Sequence, residues 1–218
     1  MDLKLQGLAD KTLLIIGGTG FVGKALLDRL DQADIPRCKV IVLSRGSKIL
    51  SPSRWRNLDL TILQSGIENL KTENLPAKID YIIHAATSTD GESRDEEYLR
   101  KTLDEGTKKV ITLAKTTHPA GVLFVSSGAV YGLHRSDRKS LKEDEAPQLK
   151  PHEHYGKYKK NAEELFETFH RLTKTPVTVA RLFAFSGTNL HPESAFAIVD
   201  FLRKALKGED IVIEGNGS

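Results

Sequence analysis

The run "TLLIIG" at positions 12–17, continued from position 21 by "FVGKALLDRLDQ", constrains the fold of this chain more than any other stretch. A continuous apolar run rich in β-branched residues reads as a strand buried on both faces, and the amphipathic run that follows reads as a helix packed on it. The pattern recurs. "KVIVLS" (39–44), "LTILQ" (60–64), "YIIHAA" (81–86), "GVLFVSS" (121–127), "PVTVARLF" (176–183) and "DIVIEG" (210–215) read as further strands. Helical stretches fall near 92–117, 153–173 and 194–207. Apolar strands separated by helices require a parallel sheet covered on both faces, so the expected fold class is α/β, a doubly wound parallel sheet. The polar segment 134–154 interrupts the alternation, and its prolines and mixed charges predict a surface loop.

A length of 218 residues accommodates one substantial domain, or one domain and part of a second. Lysine and arginine number 32 against 29 acidic residues, a net charge of +3 spread along the chain, which excludes a nucleic-acid footprint. Cys38 is the only cysteine, so no intramolecular disulfide is possible and a reducing compartment is expected. The opening "MDLKLQGLADK" has no apolar signal core and no run is long enough to span a bilayer, which predicts a cytoplasmic protein with no membrane partner.

Four places carry chemistry. In "GGTGFVG", Gly17, Gly20 and Gly23 fall directly after the first strand and across the start of its helix. That is the context of a dinucleotide-binding turn, with one glycine for the turn, one for backbone approach to a pyrophosphate and one for close helix packing. About 20 residues on, where an acid would read the ribose hydroxyls of NAD, the chain has "LSRGSK". Ser44 and Arg45, with Lys48 nearby, would accept a 2′-phosphate and favour NADP over NAD; a solvated basic loop has the same composition. "FVSSGAVYG" puts Ser126 and Ser127 at the carboxyl edge of the sheet, where a serine either bonds a substrate oxygen or satisfies strand-end backbone. In "HYGKYKK", Tyr155 and Lys159 are four apart and share one helix face. A cation there favours phenolate and pulls the tyrosine down from about 10 toward the range of a general acid/base, although an ordinary charged helix can hold the same pair by chance.

In this order, the glycine turn, "DYIIHAA", "SSGAVYG" and the Tyr155–Lys159 pair resemble the extended short-chain dehydrogenase/reductase superfamily, and within it the nucleotide-sugar epimerase/dehydratase branch, of UDP-galactose 4-epimerase type. The resemblance runs from about Lys11 to the last residue. It implies Tyr155 as the proton-transferring group, Ser127 as its assistant, and Lys159 as the cation that lowers the tyrosine and holds the nicotinamide ribose. It further implies a NAD(P) site formed by Gly17, Thr19, Gly20, Phe21, Val22, Gly23, Ser44, Arg45, Gly66, Ile67, His84, Ala85 and Ala86 with Tyr155 and Lys159. The implied substrate is a nucleoside-diphosphate sugar, epimerised or keto-reduced through a transient 4-keto sugar, and the implied assembly is a homodimer. A 4,6-dehydratase, a carbonyl reductase acting on a non-sugar ketone and a non-catalytic dinucleotide sensor are the alternatives.

The departures from that pattern bear on substrate. Gly66 in "SGI" stands where the branch usually has an aspartate, Leu103 where it often has an asparagine, and Ala184 where an asparagine commonly holds substrate phosphate. Dehydratases of the branch carry acids just after the catalytic hydroxyl, whereas Gly128 and Ala129 stand here, which leans toward epimerase or reductase chemistry. His152 and His154 could chelate a metal, but two histidines in a polar loop suggest no third ligand, and no metal is expected. Residues 1–183 are expected to form the NAD(P)-binding unit and 184–218 the start of a substrate lobe. Members of the branch continue for on the order of 100 further residues, the usual size of a second unit. The chain as given is therefore expected to bind dinucleotide, to turn over nucleotide sugar poorly and to self-associate through apolar surface on its last helix.

Overall fold

The computed structural model describes residues 5–45, 52–87, 95–132, 140–145, 148–150, 152–183, 185–190 and 197–213. Lys48, Ala184 and part of the polar segment lie outside these residues.

Six parallel strands form one sheet: β1 (Thr12–Ile16), β2 (Lys39–Ser44), β3 (Asp59–Gln64), β4 (Tyr81–His84), β5 (Gly121–Ser127) and β6 (Val177–Leu182), in the order β3-β2-β1-β4-β5-β6. The helices are α1 (Phe21–Ala33), α2 (Glu96–Leu99), α3 (Gly106–Thr117), α4 (His154–Thr173) and α5 (Ala197–Lys207). The expected doubly wound architecture is the one observed.

Side chains of a strand alternate between faces, and the sequence of β1 supplies an apolar residue to each. Leu13 and Ile15 join Leu27 and Leu30 of α1, Val40, Val42 and Trp55 in one core. Leu14 and Ile16 join Val110, Leu113, Phe124, Phe166 and Phe169 in the other, under α3 and α4. Full burial of a side chain of this size stabilises by roughly 1.5–3 kcal/mol, so the two cores fix β1 at the centre of the sheet.

Two elements differ from the sequence reading. Residues 210–213 form no strand, since β6 has no further partner among the described residues and Ile211, Val212 and Ile213 face solvent; positions 214 and 215 lie outside them. The helix expected over 92–117 starts at Glu96, where Asp95 accepts a bond from the Glu97 amide as N-cap, and passes through a π-helical segment, Arg100–Glu105, before α3. Leu103 is buried inside that segment. The helix near 194–207 is described from Ala197 on.

β1 pairs with β2 on one side and β4 on the other. The chain order reverses between β1 and β4, and in open α/β sheets such a reversal marks the crevice, at the carboxyl ends of the strands, where ligands bind.

Candidate active site

Gly17 leaves β1 with a φ of 88°, a left-handed conformation that side chains rarely adopt, and a Cβ at this position would stand 2.7 Å from the Ala85 carbonyl oxygen. Its amide is bonded to the Leu43 carbonyl, and the Ala85 amide to Ile16, so the ends of β1, β2 and β4 meet at this turn. Gly23 lies against the same turn, where a Cβ would come within 2.4 Å of the Gly17 oxygen. Gly20 is the N-cap of α1 and offers no side-chain cap bond. The first amides of a helix, those of Phe21 and Val22 here, have no intrahelical partner and form an anion site. The cradle therefore fits a diphosphate.

Thr19 Oγ1 and Ser44 Oγ are 2.8 Å apart, which ties the turn to the end of β2. Ser44 is buried, whereas Arg45 is exposed, with its guanidinium 5.0 Å over the Tyr98 ring and bonded to the Tyr98 hydroxyl at 3.2 Å. Gly66 precedes a short 3-10 turn whose first residue, Ile67, is buried against Gly106.

On the other side of the crevice β5 ends at Ser127, whose Oγ accepts a bond from the Ala129 amide at 3.2 Å and caps the turn Gly128–Tyr131. The opening residues of α4 bring Tyr155 to the same place, where the hydroxyls of Ser127 and Thr87 hydrogen-bond the phenol. Gly156 permits this approach: a Cβ there would lie 2.4 Å from the Ala129 oxygen. One turn along α4, Lys159 is fully enclosed, with Nζ 5.9 Å from the Tyr155 ring centroid and 5.0 Å from that of Phe124. It donates to the Val125 carbonyl at 2.8 Å.

The electrostatics run against the sequence expectation. Burial pushes the Tyr155 phenol above its ordinary value, with only the Ser127 and Thr87 bonds acting downward. Burial also pulls Lys159 down to about 7, offset in part by the charge of Glu163. Lys159 is not among the groups that shift the phenol, and its Nζ is bonded to the Val125 carbonyl.

His84 is buried at the end of β4, its Nε2 3.1 Å from Thr107 Oγ1, and burial together with the Lys159 charge lowers it to about 3. It is a neutral wall residue. His154 Nδ1 lies 3.2 Å from Glu96 Oε1, His152 is exposed, and no group of three metal-ligating residues occurs among the described residues.

Sequence reasoning did not find Thr87, Tyr98, Glu163 or Arg181. Glu163 was open to discovery as the next residue along the Tyr155–Lys159 helix face; the others depend on contacts across the sheet. Residues 185–190, in the stretch expected to begin the substrate lobe, lie against α1. Phe185 stacks on Phe21 at 4.8 Å, and Asn189 bonds Asp28 at 2.7 Å.

The chain is similar to known proteins. UDP-glucuronic acid decarboxylase 1 of Danio rerio is 28% identical over 216 residues, covering 95% of this chain and 49% of its own length. A solved UDP-N-acetylglucosamine 4-epimerase from Methanobrevibacter ruminantium, in complex with UDP-N-acetylmuramic acid, superposes with a TM-score of 0.78 at 26% identity, covering 96% of this chain and 67% of that one. UDP-glucose 4-epimerase from Thermotoga maritima, with UDP-glucose, gives 0.74 at 25% identity, covering 94% and 66%. The chain thus spans about half the length of the curated relative and about two thirds of the solved ones. The model of the NAD dependent epimerase/dehydratase family matches residues 13–218, nearly the whole of the fold and site described above, and the chain belongs to that family.

Proposed function

We propose that this chain binds NAD(P) at its glycine turn and carries the proton-transfer group of an enzyme that epimerises or keto-reduces a nucleoside-diphosphate sugar at a ring carbon. The observation that carries the reading is the hydrogen bond between Ser127 and Tyr155 at the carboxyl edge of the sheet, with Lys159 one turn further along α4 and the glycine turn at the carboxyl end of β1.

The residues of the cradle, Gly17, Gly20, Phe21, Val22 and Gly23, hold the dinucleotide diphosphate on backbone amides, and Lys159 and Tyr155 border the nicotinamide end. Bound NAD(P) supplies the hydride acceptor and donor. Tyr155 takes the proton of the sugar hydroxyl as the carbon–hydrogen bond of the same carbon breaks, leaving a ketone, while Ser127 donates a hydrogen bond to that oxygen. Tyr155 gives the proton back when the ketone is reduced. Reduction on the opposite face yields the epimer and leaves the cofactor unchanged.

Arg45, exposed one residue beyond β2, supports a preference for NADP. Residues 1–183 form the dinucleotide-binding unit and 184–218 begin a substrate lobe, a division supported by the end of the sheet at Leu182. The reducing cytoplasm suits the lone, buried Cys38, and a homodimer is the assembly that goes with this reading. Among the alternatives, a 4,6-dehydratase is disfavoured by Gly128, which follows Ser127 with no carboxyl group and packs under Phe183.

The test is incubation with a panel of UDP- and dTDP-sugars and either dinucleotide, followed by product mass and NMR. An isomer of unchanged mass or a two-electron reduction product supports the reading. Loss of water, loss of carbon dioxide, or conversion only of non-sugar ketones contradicts it.

A further inference from the structure

Beneath the dyad lies a buried ionic cluster to which the proposed chemistry assigns nothing. Glu163, one turn after Lys159 on α4, is almost completely enclosed. Arg181 of β6 grips it with two bonds, Nε to Oε1 at 2.9 Å and Nη2 to Oε2 at 2.8 Å. Ser126, the neighbour of Ser127 on β5, donates to the same carboxylate at 2.6 Å. Lys160 Nζ stands 3.6 Å away. The remaining arm of Arg181 donates at 2.7 Å to the Tyr131 hydroxyl, on the turn that Ser127 caps, and at 2.7 Å to the Glu143 carbonyl. One ion pair thereby joins β5, β6, α4 and the Ser127 turn.

We propose that Glu163 and Arg181 form a positioning device for the Tyr155–Lys159 dyad: the pair locks the ends of β5, β6 and α4 in one arrangement and presents a fixed negative charge to the Lys159 ammonium. Breaking a buried ion pair at one partner is strongly destabilising, whereas replacing both partners by neutral groups is often tolerated.

Among the described residues, the groups that face Lys159 are Tyr155 and Glu163 from its own helix, His84 from β4, and the Val125 carbonyl and Phe124 ring from β5. His84 is neutral, so Glu163 is the anion among them. Around Glu163 itself stand Arg181, Lys160 and Ser126. Burial alone would raise its carboxyl, but the bonds from Arg181 and Ser126 and the charges of Arg181 and Lys160 hold it below the ordinary value, and it stays ionised. Arg181 therefore has two opposed effects, fixing the carboxylate in place and diluting its field at Lys159.

This opposition gives the test. It rests on the reading of Tyr155 and Lys159 as the reacting dyad, yet it is measured with neither sugar nor dinucleotide, so failure of turnover and failure of the device are told apart. The Lys159 ammonium is titrated by NMR in the full chain carrying isotope-labelled lysine. In Glu163→Gln its pKa falls by about one unit, and in Arg181→Met it rises by about one unit, the size expected for gain or loss of an adjacent charge. The double variant lies above Glu163→Gln. If Arg181→Met does not fold, the double variant carries the comparison, because both partners of the ion pair are then neutral. A folded Glu163→Gln with an unmoved Lys159, shifts of the same sign in both single variants, or a double variant no higher than Glu163→Gln would overturn the proposal.

Discussion

At Lys159 a charged group sits where water does not reach, and two consequences follow. In the unfolded chain its ammonium titrates near 10.5 and in the folded chain near 7. Between those values the unfolded state binds more protons, so this residue makes stability rise with pH from about 7 to about 10.5 and holds it low below 7. Lys159→Met should therefore raise the unfolding free energy of the ligand-free chain at pH 6, measured by urea denaturation, by on the order of 2 kcal/mol once the lost bond to Val125 is set against the relieved burial, and the gain should shrink as pH approaches 10. A gain independent of pH would mean that the ammonium is solvated. Arg45 makes the second residue-level case. Its guanidinium is exposed over Tyr98, and a charge-assisted pair with a 2′-phosphate is worth on the order of 1.5–3 kcal/mol. Arg45→Ala should weaken NADP binding about 10- to 100-fold and NAD binding little, by calorimetry; equal losses would make Arg45 an ordinary loop residue. The Tyr155–Lys159 spacing was legible in the sequence because i, i+4 neighbours share a helix face whatever the tertiary context. The direction of the tyrosine shift was not, since it depends on desolvation and on where the lysine nitrogen points.

Among the elements, the strand–turn–helix unit from Thr12 to Ala33 was the most legible, because its glycines, apolar run and helical period all specify the same local structure. The packing makes that unit intolerant of change. A methyl group at Gly23 would meet the backbone of Gly17 and Gly18 at 2.4 Å, and no flexible side chain is there to move aside. Gly23→Ala should lower stability by about 1–3 kcal/mol, as overpacking does, and reduce dinucleotide affinity more than tenfold by opening the cradle. Unaltered binding in a folded variant would place the dinucleotide elsewhere. The run 210–215 misled for a physical reason: strand propensity is a preference for a pleated, half-buried surface, and residues 210–213 have no neighbour among the described residues to supply one. The π-helical segment around Leu103 was illegible because a single wider turn leaves no mark on a 3.6-residue pattern.

For the whole molecule, the alternation of strands and helices specified the parallel sheet, while the strand order and the contact of Arg181 with Glu163 emerged only from the fold. The sheet buries its helices well on the β1 side and less well at the β6 end. Phe183 is exposed there, and α5 turns Ile198, Leu202 and Leu206 outward, Leu206 by 89%. Apolar surface of this kind drives association. Sedimentation should show self-association of the 218-residue chain, diminished by Leu202→Glu with Leu206→Glu. Because both residues lie on the surface, the stability of that variant should stay within about 0.5 kcal/mol per site of the parent. An unchanged oligomer would place the contact elsewhere. The central claim, that Tyr155 moves the proton in NAD(P)-linked chemistry at a sugar hydroxyl, is tested most directly by the rate at which bound dinucleotide is reduced when saturating nucleotide sugar is added, compared between the parent and Tyr155→Phe. The account predicts a rate lower by about two to four orders of magnitude in the variant, with dinucleotide affinity nearly intact. A variant that reduces the dinucleotide as fast as the parent would contradict it.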